Sequence, residues 1–285
     1  MGDNFESRGV EIVGSVDEGI TAAAWSPDEE VLAITTCAST FLLMTRDFES
    51  IADTVFTEAD LLASNHVSVG WGKAETQFKG KRAKAMRDPT VPEKVDEGVL
   101  SVGDDKKVRI SWRGDGAYLA ITKIEDEKRR VIRVYSREGK LDSVSEPVDG
   151  MEGTMDWRPS GNLITSTQRF SDKMDIIFFE RNGLRHGEFS LRIDPDTCMS
   201  SAVNQLSWNA DSTVLGIAMK DRVQLWTMGN YHYYLKQEIF FKPTGDAPLL
   251  VWHPEKALQL ALMCQGLLFL NADLRPEEYV LISDR

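Results

Sequence analysis

Six tryptophans recur along the chain at nearly constant separations, and this repeat constrains the fold more than any other feature of the sequence. Subtracting consecutive positions gives separations of 46, 41, 45, 51 and 44 residues. Large aromatic side chains dominate the area buried between packed sheets, so we interpret these tryptophans as structural anchors. They are Trp25, Trp71, Trp112, Trp157, Trp208 and Trp252.

Each tryptophan unit contains the same succession of strand and turn signals. Turn-forming residues follow five of the six tryptophans, as in Ser26-Pro27-Asp28 and Arg113-Gly114-Asp115-Gly116. A second apolar run follows the turn, and a third comes about ten residues later. Units of about 40–45 residues with four short antiparallel strands are typical of the blades of WD40 repeats. The sequence therefore predicts an all-β fold, a WD40-type β-propeller.

The predicted propeller has about six blade units, and we expect it to be an incomplete part of a seven-bladed ring. Residues 1–285 are interpreted as a single, partial β-propeller domain. The second unit, from His66, departs most from the pattern, whereas the sixth contains at Glu277–Arg285 only the start of an outer strand. We expect a fragment of a longer repeat protein. The alternative is a ring of six to seven blades that closes imperfectly.

A short basic segment is the sharpest electrostatic feature of an otherwise acidic chain. It lies in a loop insertion at about residues 79–98, and the rest of the chain has 33 − 5 = 28 basic against 45 acidic residues. Such a chain is a poor general binder of nucleic acid, so any basic contact must be local. Two interpretations stay open, a solvated disordered loop or a contact for nucleic-acid phosphates or an acidic partner. The five basic residues are Lys79, Lys81, Arg82, Lys84 and Arg87.

The sequence contains no motif of catalysis, cofactor binding or metal coordination, and we predict no residues for these roles. Gly114-Asp115-Gly116 lies between two predicted strands, which indicates a hairpin turn and not a phosphate-binding loop. The widely spaced Cys37, Cys198 and Cys264 are predicted to be buried free thiols, without a disulfide or a zinc site. No signal peptide or stretch of about 18 apolar residues is present, so we expect an intracellular protein that does not enter a membrane.

Two long segments of the sequence resemble the largest subunit of the Elongator complex, the IKAP family. They are Gly229–Gln237, GNYHYYLKQ, and Gly70–Lys81, GWGKAETQFKGK. Further similar segments include Arg181–Gly187 and Asp156–Gly161, and the resemblance extends from about residue 10 to the C-terminus. These uninterrupted segments are far more specific than a general WD40 signature.

The resemblance implies a non-catalytic scaffold propeller that supports modification of the wobble uridine (U34) of tRNA and, through it, translation. The expected partners are the other Elongator subunits, a second propeller subunit and a catalytic subunit, with tRNA contacting the basic loop. The family's dimerisation region is expected to be absent from this chain, and the expected compartments are the cytoplasm and the nucleus. The alternative is a generic WD40 adaptor that recognises a peptide or partner protein on its rim. An enzyme is the least favoured class.

Overall fold

The computed structural model describes residues 12, 14–16, 18–62, 96–241, 247–264, 267–271 and 279–282. These residues form five antiparallel sheets of four strands each, together with two helices of four residues. Sheet 1 contains β1 (Ile20–Trp25), β2 (Val31–Thr36), β3 (Thr40–Thr45) and β4 (Ser50–Val55), and α1 (Ala59–Leu62) follows it. Sheet 2 contains β5 (Arg109–Trp112), β6 (Tyr118–Glu125), β7 (Arg129–Ser136) and β8 (Leu141–Val144).

The remaining three sheets repeat this plan. Sheet 3 contains β9 (Met151–Trp157), β10 (Leu163–Arg169), β11 (Met174–Glu180) and β12 (Arg185–Ser190), and α2 (Pro195–Cys198) follows it. Sheet 4 contains β13 (Val203–Trp208), β14 (Val214–Met219), β15 (Arg222–Gly229) and β16 (His232–Phe240). Sheet 5 contains β17 (Leu249–Trp252), β18 (Leu260–Cys264), β19 (Leu267–Asn271) and β20 (Tyr279–Ile282).

The sheets are arranged as consecutive blades of a propeller. Within each sheet the strands lie in sequence order, and the first strands of successive sheets contact one another, β1 with β5, β5 with β9, β9 with β13 and β13 with β17. First strands therefore lie on the inner side of the array and fourth strands on its outer rim. The predicted all-β propeller fold is confirmed.

The hydrophobic core consists of four layers, one between each pair of neighbouring sheets. Sheets 1 and 2 bury Phe41 against Tyr135, with ring centroids 4.7 Å apart. Sheets 3 and 4 bury Phe178 together with Trp208, whose ring centroids are 6.5 Å apart. A single four-stranded blade cannot cover both of its apolar faces, so each sheet gains its stability from its neighbours.

The turns after the tryptophans share one backbone geometry, which explains why the sequence marks them so clearly. In sheets 1 to 4 the residue four positions after the tryptophan has a positive φ, between 59° and 92°. In the same sheets the N–H of the residue after the tryptophan donates to a carbonyl five residues later, as in Ser26 to Val31 at 2.7 Å. The four residues with positive φ are Glu29, Gly116, Gly161 and Ser212.

The position of the second predicted unit is the main difference from the sequence analysis. Most of that unit lies outside the described residues, which contain five sheets where about six units were expected. Sheets 1 and 2, which correspond to the first and third predicted units, are direct neighbours. The indole N–H of Trp112 donates to the carbonyl of Ala24 at 3.1 Å, so the two inner strands meet without a blade between them.

Two smaller expectations also differ from the structure. The segment Glu277–Arg285 was expected to hold only the start of an outer strand, but β20 pairs with β19 from Asn271↔Tyr279 to Leu268↔Ile282 and completes sheet 5. The sequence also predicts that residues 99–110 rejoin a sheet, but residues 99–108 are not in a strand and sheet 2 begins only at Arg109. Hydrogen bonds that involve the carboxylates of Asp149 and Asp104 hold this segment in place. The pattern of apolar residues in the sequence gives no indication of such bonds.

The two ends of the array carry exposed apolar side chains, because sheets 1 and 5 each have one neighbouring sheet among the described residues. Sheet 1 exposes Ile20 and Val55, each 57% accessible. Sheet 5 exposes Leu249 and Val251, at 45% and 52%. In the described part of the chain, no helix has the length and apolar character needed to cross a membrane.

Candidate interaction site

The basic residues predicted as a contact site, Lys79, Lys81, Arg82, Lys84 and Arg87, lie outside the described residues, as does Trp71. The described chain stops at Leu62 and resumes at Asp96. The two flanking segments approach one cleft of about 670 Å³ beside sheet 2, which both of them line. The structure therefore shows how the described chain on either side of residues 63–95 is held.

A single carboxylate fixes the described chain where it resumes, at residues 97–99. Asp149 Oδ1 accepts hydrogen bonds from the backbone N–H groups of Glu97, Gly98 and Val99, at 3.0, 2.8 and 3.0 Å. The N–H of Gly150 returns a bond to the carbonyl of Val99 at 2.7 Å. Bonds from N–H groups to an ionised acceptor are stronger than neutral ones, so the segment is tied firmly to the start of sheet 3.

A buried ion pair secures the same segment to sheet 2. The Arg130 guanidinium binds Asp104 through two bonds of 2.5 Å, and both side chains are at most 1% exposed. Arg130 also donates to the carbonyl of Lys107 at 2.9 Å. Removing one member of such a pair leaves an uncompensated buried charge, which costs about 3–5 kcal/mol.

A second buried arginine joins the segment to sheet 3 and to the chain before sheet 4. Arg169 donates to Glu152 at 2.5 Å, and Glu152 also accepts from the hydroxyl of Ser101 at 2.8 Å. The other guanidinium nitrogens of Arg169 donate to the carbonyls of Cys198 and Ser201, both at 2.6 Å. These contacts connect elements far apart in sequence.

The segment before the insertion is held by a third buried arginine. Arg133 pairs with Glu125 at 2.5 Å and donates to the carbonyl of Thr57 at 3.3 Å. Its Nε atom lies 3.8 Å from Asp60 of α1. The sequence analysis did not identify these three arginines, and their only signal was a charged residue within or beside an apolar strand.

Acidic and basic side chains both line the cleft between the flanking segments. Its acidic members are Glu58, Glu97, Glu125 and Asp126, and Lys128 and Arg129 also line it. Glu125 is buried and paired with Arg133, so the exposed acidic side chains of the cleft are those of Glu58, Glu97 and Asp126.

Together, the contacts of Asp149 and of the three buried arginines form a frame that fixes where the described chain leaves the propeller and returns to it.

Three anchor tryptophans, Trp112, Trp208 and Trp252, connect neighbouring sheets by hydrogen bonds. Trp112, Trp157 and Trp208 are at most 8% exposed. The indole N–H of Trp208 donates to Thr165 Oγ1 at 2.8 Å, and that of Trp252 donates to the carbonyl of Ser207 at 3.0 Å. Each of these two bonds reaches the preceding sheet.

Trp25 departs from the expectation for an anchor tryptophan, because it lies on the open side of sheet 1 and is 42% exposed. Its ring meets the edge of Phe48, with centroids 6.3 Å apart.

Asp156 links the inner strands of three sheets. Its carboxylate accepts from Ser111 Oγ of sheet 2 at 3.1 Å and from the backbone N–H of Trp208 of sheet 4 at 2.8 Å. Removal from water raises the pKa of this carboxyl to about 7, which outweighs the lowering effect of the accepted bonds. The sequence signal was an acidic residue directly before an anchor tryptophan, and the sequence analysis did not assign it a role.

The described residues contain no cluster of three or more metal-ligating side chains. All three cysteines are free, and Cys198 and Cys264 are buried as expected. The prediction of a buried thiol is wrong for Cys37, which is exposed beside the turn from β2 to β3.

Blades of four antiparallel strands, tied through their inner strands and their first-strand tryptophans, define a β-propeller. Its sequence matches a known propeller family. The chain belongs to the family described as the ELP1 first N-terminal beta-propeller, whose model matches residues 1–255. It is similar to Elongator complex protein 1 of Schizosaccharomyces pombe, with 51% identity over 87% of this chain and 20% of that protein. The Saccharomyces cerevisiae protein of the same name is 44% identical over 92% of this chain and 21% of its own length.

The chain spans about a fifth of the length of the curated relatives it matches. Among solved structures, the Swd1 β-propeller domain of Myceliophteria thermophila has a TM-score of 0.55 at 12% identity, covering 95% of this chain and 73% of that one. A functionally unknown protein of Desulfotomaculum acetoxidans has a TM-score of 0.59 at 10% identity, over 95% and 71%. At these identities the likeness supports the fold alone.

Proposed function

We propose that this propeller is a non-catalytic scaffold domain of an Elongator complex and supports modification of the wobble uridine of tRNA, and through it translation. The observation that carries the proposal is the close similarity to proteins named Elongator complex protein 1, 51% identical in the first of them. The partners would be the second propeller subunit and the catalytic subunit of that complex. The proposed compartments are the cytoplasm and the nucleus.

The physical support for a scaffold role is the use of polar side chains to join blades. Near the turn ends of the sheets, every interface between neighbouring sheets has such a contact. They are Arg137 to Asp28 at 2.8 Å, Arg113 to Asn162 at 2.9 Å, Arg158 to the Ser212 carbonyl at 3.2 Å and Asn209 to the Ala257 carbonyl at 2.9 Å. A platform cross-linked in this way can present surfaces to several partners at fixed positions.

Within this proposal the basic insertion contacts tRNA. Its five positive charges are concentrated in nine residues of a chain with a net charge of −12, so phosphates would be attracted locally. The frame formed by Asp149, Arg130 and Arg133 holds the described chain on either side of residues 63–95, the part of the sequence that contains these charges.

The test of the scaffold role is reconstitution with purified Elongator subunits. We expect the chain to co-purify with the second propeller subunit and the catalytic subunit at a fixed ratio. Recovery of neither subunit, together with tight binding of a short peptide on the rim, would contradict the proposal and favour a generic WD40 adaptor.

The test of the tRNA contact is a charge variant with a matched control. Lys79, Lys81, Arg82, Lys84 and Arg87 are changed to Ala, and we expect weaker tRNA binding with unchanged folding. The slope of log K against log salt should become shallower by about 0.7–0.9 for every phosphate that the variant no longer neutralises. The control changes five exposed basic residues elsewhere, Arg46, Lys140, Arg192, Lys220 and Lys256, to Ala.

Both variants shift the net charge from −12 to −17, so a general electrostatic effect would weaken binding equally in the two. An unchanged affinity and salt slope in the first variant would dismiss the role of the basic insertion in tRNA binding.

A further inference from the structure

The hairpin between β15 and β16 departs from the geometry of the corresponding hairpins in the other sheets. In sheets 1 to 3 the turn between the third and fourth strands has one residue with positive φ, Phe48, Gly139 or Gly183. In sheet 4 the turn has two, Asn230 at 50° and Tyr231 at 63°. This is the tight two-residue turn in which the second position strongly favours glycine, yet the chain has a tyrosine there.

A bulky residue at positive φ costs free energy that the fold must supply elsewhere. For Phe48 the structure shows the compensation, because its ring packs against Trp25 with centroids 6.3 Å apart. Tyr231 is 86% exposed, so packing within the propeller does not offset the free-energy cost of its positive φ. The ring is exposed to solvent on a short hairpin at the outer rim of sheet 4.

The surroundings of Tyr231 form an exposed surface of unusual composition, the tyrosine tip, made of Met228, Tyr231, His232 and Tyr234. Met228 is 46% exposed and Tyr234 is 51% exposed. Residues 228–234 contain no Asp, Glu, Lys or Arg in a chain that is 27% charged. Beneath the tip, Tyr233 stacks on Phe189 and Phe178 with centroids 4.5 and 5.0 Å apart, which anchors β16 in the core.

The composition of the tip indicates which kind of partner surface it can bind. Depletion of charged residues with enrichment of tyrosine and methionine is the composition of protein–protein interface cores. A tip without Lys or Arg, on a chain with a net charge of −12, has nothing to attract phosphates or anionic lipid. A projecting hairpin requires a concave, uncharged partner pocket.

We infer that the tyrosine tip is a protein-docking element that inserts Tyr231 and Tyr234 into an apolar pocket of a neighbouring subunit. This inference rests on the proposed function, because that subunit is sought within the Elongator complex.

The experiment places a photo-crosslinking benzophenone side chain at Tyr231 in the intact protein, assembled with purified Elongator subunits and tRNA. The matched control places the same group at Asn182, the exposed tip of the corresponding hairpin in sheet 3. We expect position 231, and not position 182, to form an adduct with another protein subunit. Adducts from position 231 to tRNA or to the same polypeptide, or no adduct, would overturn the inference.

Two variants connect the contact to binding. Tyr231→Gly relieves the backbone conformation, so folding is expected to be retained, and loss of the ring should weaken subunit binding at least about tenfold, as for an interface hot spot. Met199→Ala, which removes another exposed apolar side chain, 52% accessible and directly after α2, should leave affinity unchanged. Equal affinity of Tyr231→Gly and the unaltered protein would refute docking through Tyr231.

Failure of this inference can be distinguished from failure of the proposed function. If the unaltered protein does not assemble with Elongator subunits, both are refuted. If it assembles, and Tyr231→Gly assembles equally well without a crosslink to protein from position 231, only the docking role of the tip is refuted.

Discussion

At the scale of single residues, the buried charges decide which segments are fixed. Arg130, Arg133 and Arg169 each pair with a carboxylate inside the propeller, although arginine usually lies at the surface. Their partners are separated in sequence by 26, 8 and 17 residues, so periodicity within one strand cannot reveal them. The sequence analysis marked the tryptophans, of which Trp112, Trp157 and Trp208 are buried, but it had no means of pairing these charges.

Asp156 makes the stability of the propeller depend on pH. Its pKa is raised from 3.8 to about 7 by removal from water, so the folded protein holds this proton more tightly than the unfolded chain does. The resulting stabilisation is fully present below about pH 4 and is lost as the pH rises through 7. In Asp156→Asn this titration is absent. Relative to the unaltered protein, the variant should gain on the order of 1–3 kcal/mol between pH 5 and pH 7.5, at about 1.4 kcal/mol per pKa unit.

The measurement is urea unfolding of both proteins at the two pH values. The control is Asp115→Asn, because the hydrogen bonds from Arg113 lower the pKa of Asp115 and it stays ionised across this range. The difference between that variant and the unaltered protein should not change with pH. A constant difference for Asp156→Asn as well would show that Asp156 does not titrate in this window.

At the scale of elements, the repeated unit is a strand, a turn of fixed geometry and a second strand. The sequence predicted where these turns lie, because Pro, Asp, Asn and Gly cluster after the tryptophans. It did not predict that the position four residues after the tryptophan is left-handed even where it is not glycine, as at Glu29 and Ser212. A bulge between the third and fourth strands also recurs, for example between Leu43 and Met44 and between Phe178 and Phe179, without a sequence signal.

The two non-glycine residues at this turn position should respond differently to replacement by glycine. Glu29 is exposed, and Glu29→Gly should stabilise the protein by about 0.5–1 kcal/mol, because relief of about 1–2 kcal/mol in the turn exceeds the added entropy of the unfolded chain. Ser212 is 1% exposed and its hydroxyl accepts from the N–H of Ser160 at 2.8 Å. Ser212→Gly removes that bond, worth about 1 kcal/mol, so no net gain is expected.

Thermal and denaturant unfolding of the two variants measures this contrast. Equal stabilisation by both replacements would mean that the Ser212 hydroxyl contributes nothing to the contact between sheets 3 and 4.

At the scale of the whole molecule, the blades depend on one another. Sheets 2, 3 and 4 have neighbouring sheets on both faces, whereas sheets 1 and 5 have one neighbour each among the described residues and expose apolar side chains such as Trp25 and Val251. In arrays of this kind stability is roughly a sum of terms between adjacent repeats, so a terminal blade should open more readily than a central one.

Hydrogen exchange should reveal this gradient in the 285-residue chain. The second strands of the sheets are paired on both edges, so differences between them reflect packing and not hydrogen bonding. Amides of β2 and β18 should exchange on the order of tenfold faster than those of β10 and β14, as expected for a difference of about 1.4 kcal/mol in local opening. Uniform protection of all four strands would indicate that the array opens as a single unit.

The sequence by itself determined the class of fold and the family, and it located the units that form the five described sheets. Local signals carried that information, since tryptophan spacing, turn residues and short apolar runs act within one repeat. Only the tertiary structure decided that sheets 1 and 2 are neighbours, that Asp149 and three buried arginines fasten the described chain on either side of residues 63–95, and that Tyr231 is exposed. These features depend on contacts between residues far apart in the chain, and a repeat pattern does not encode which distant groups meet.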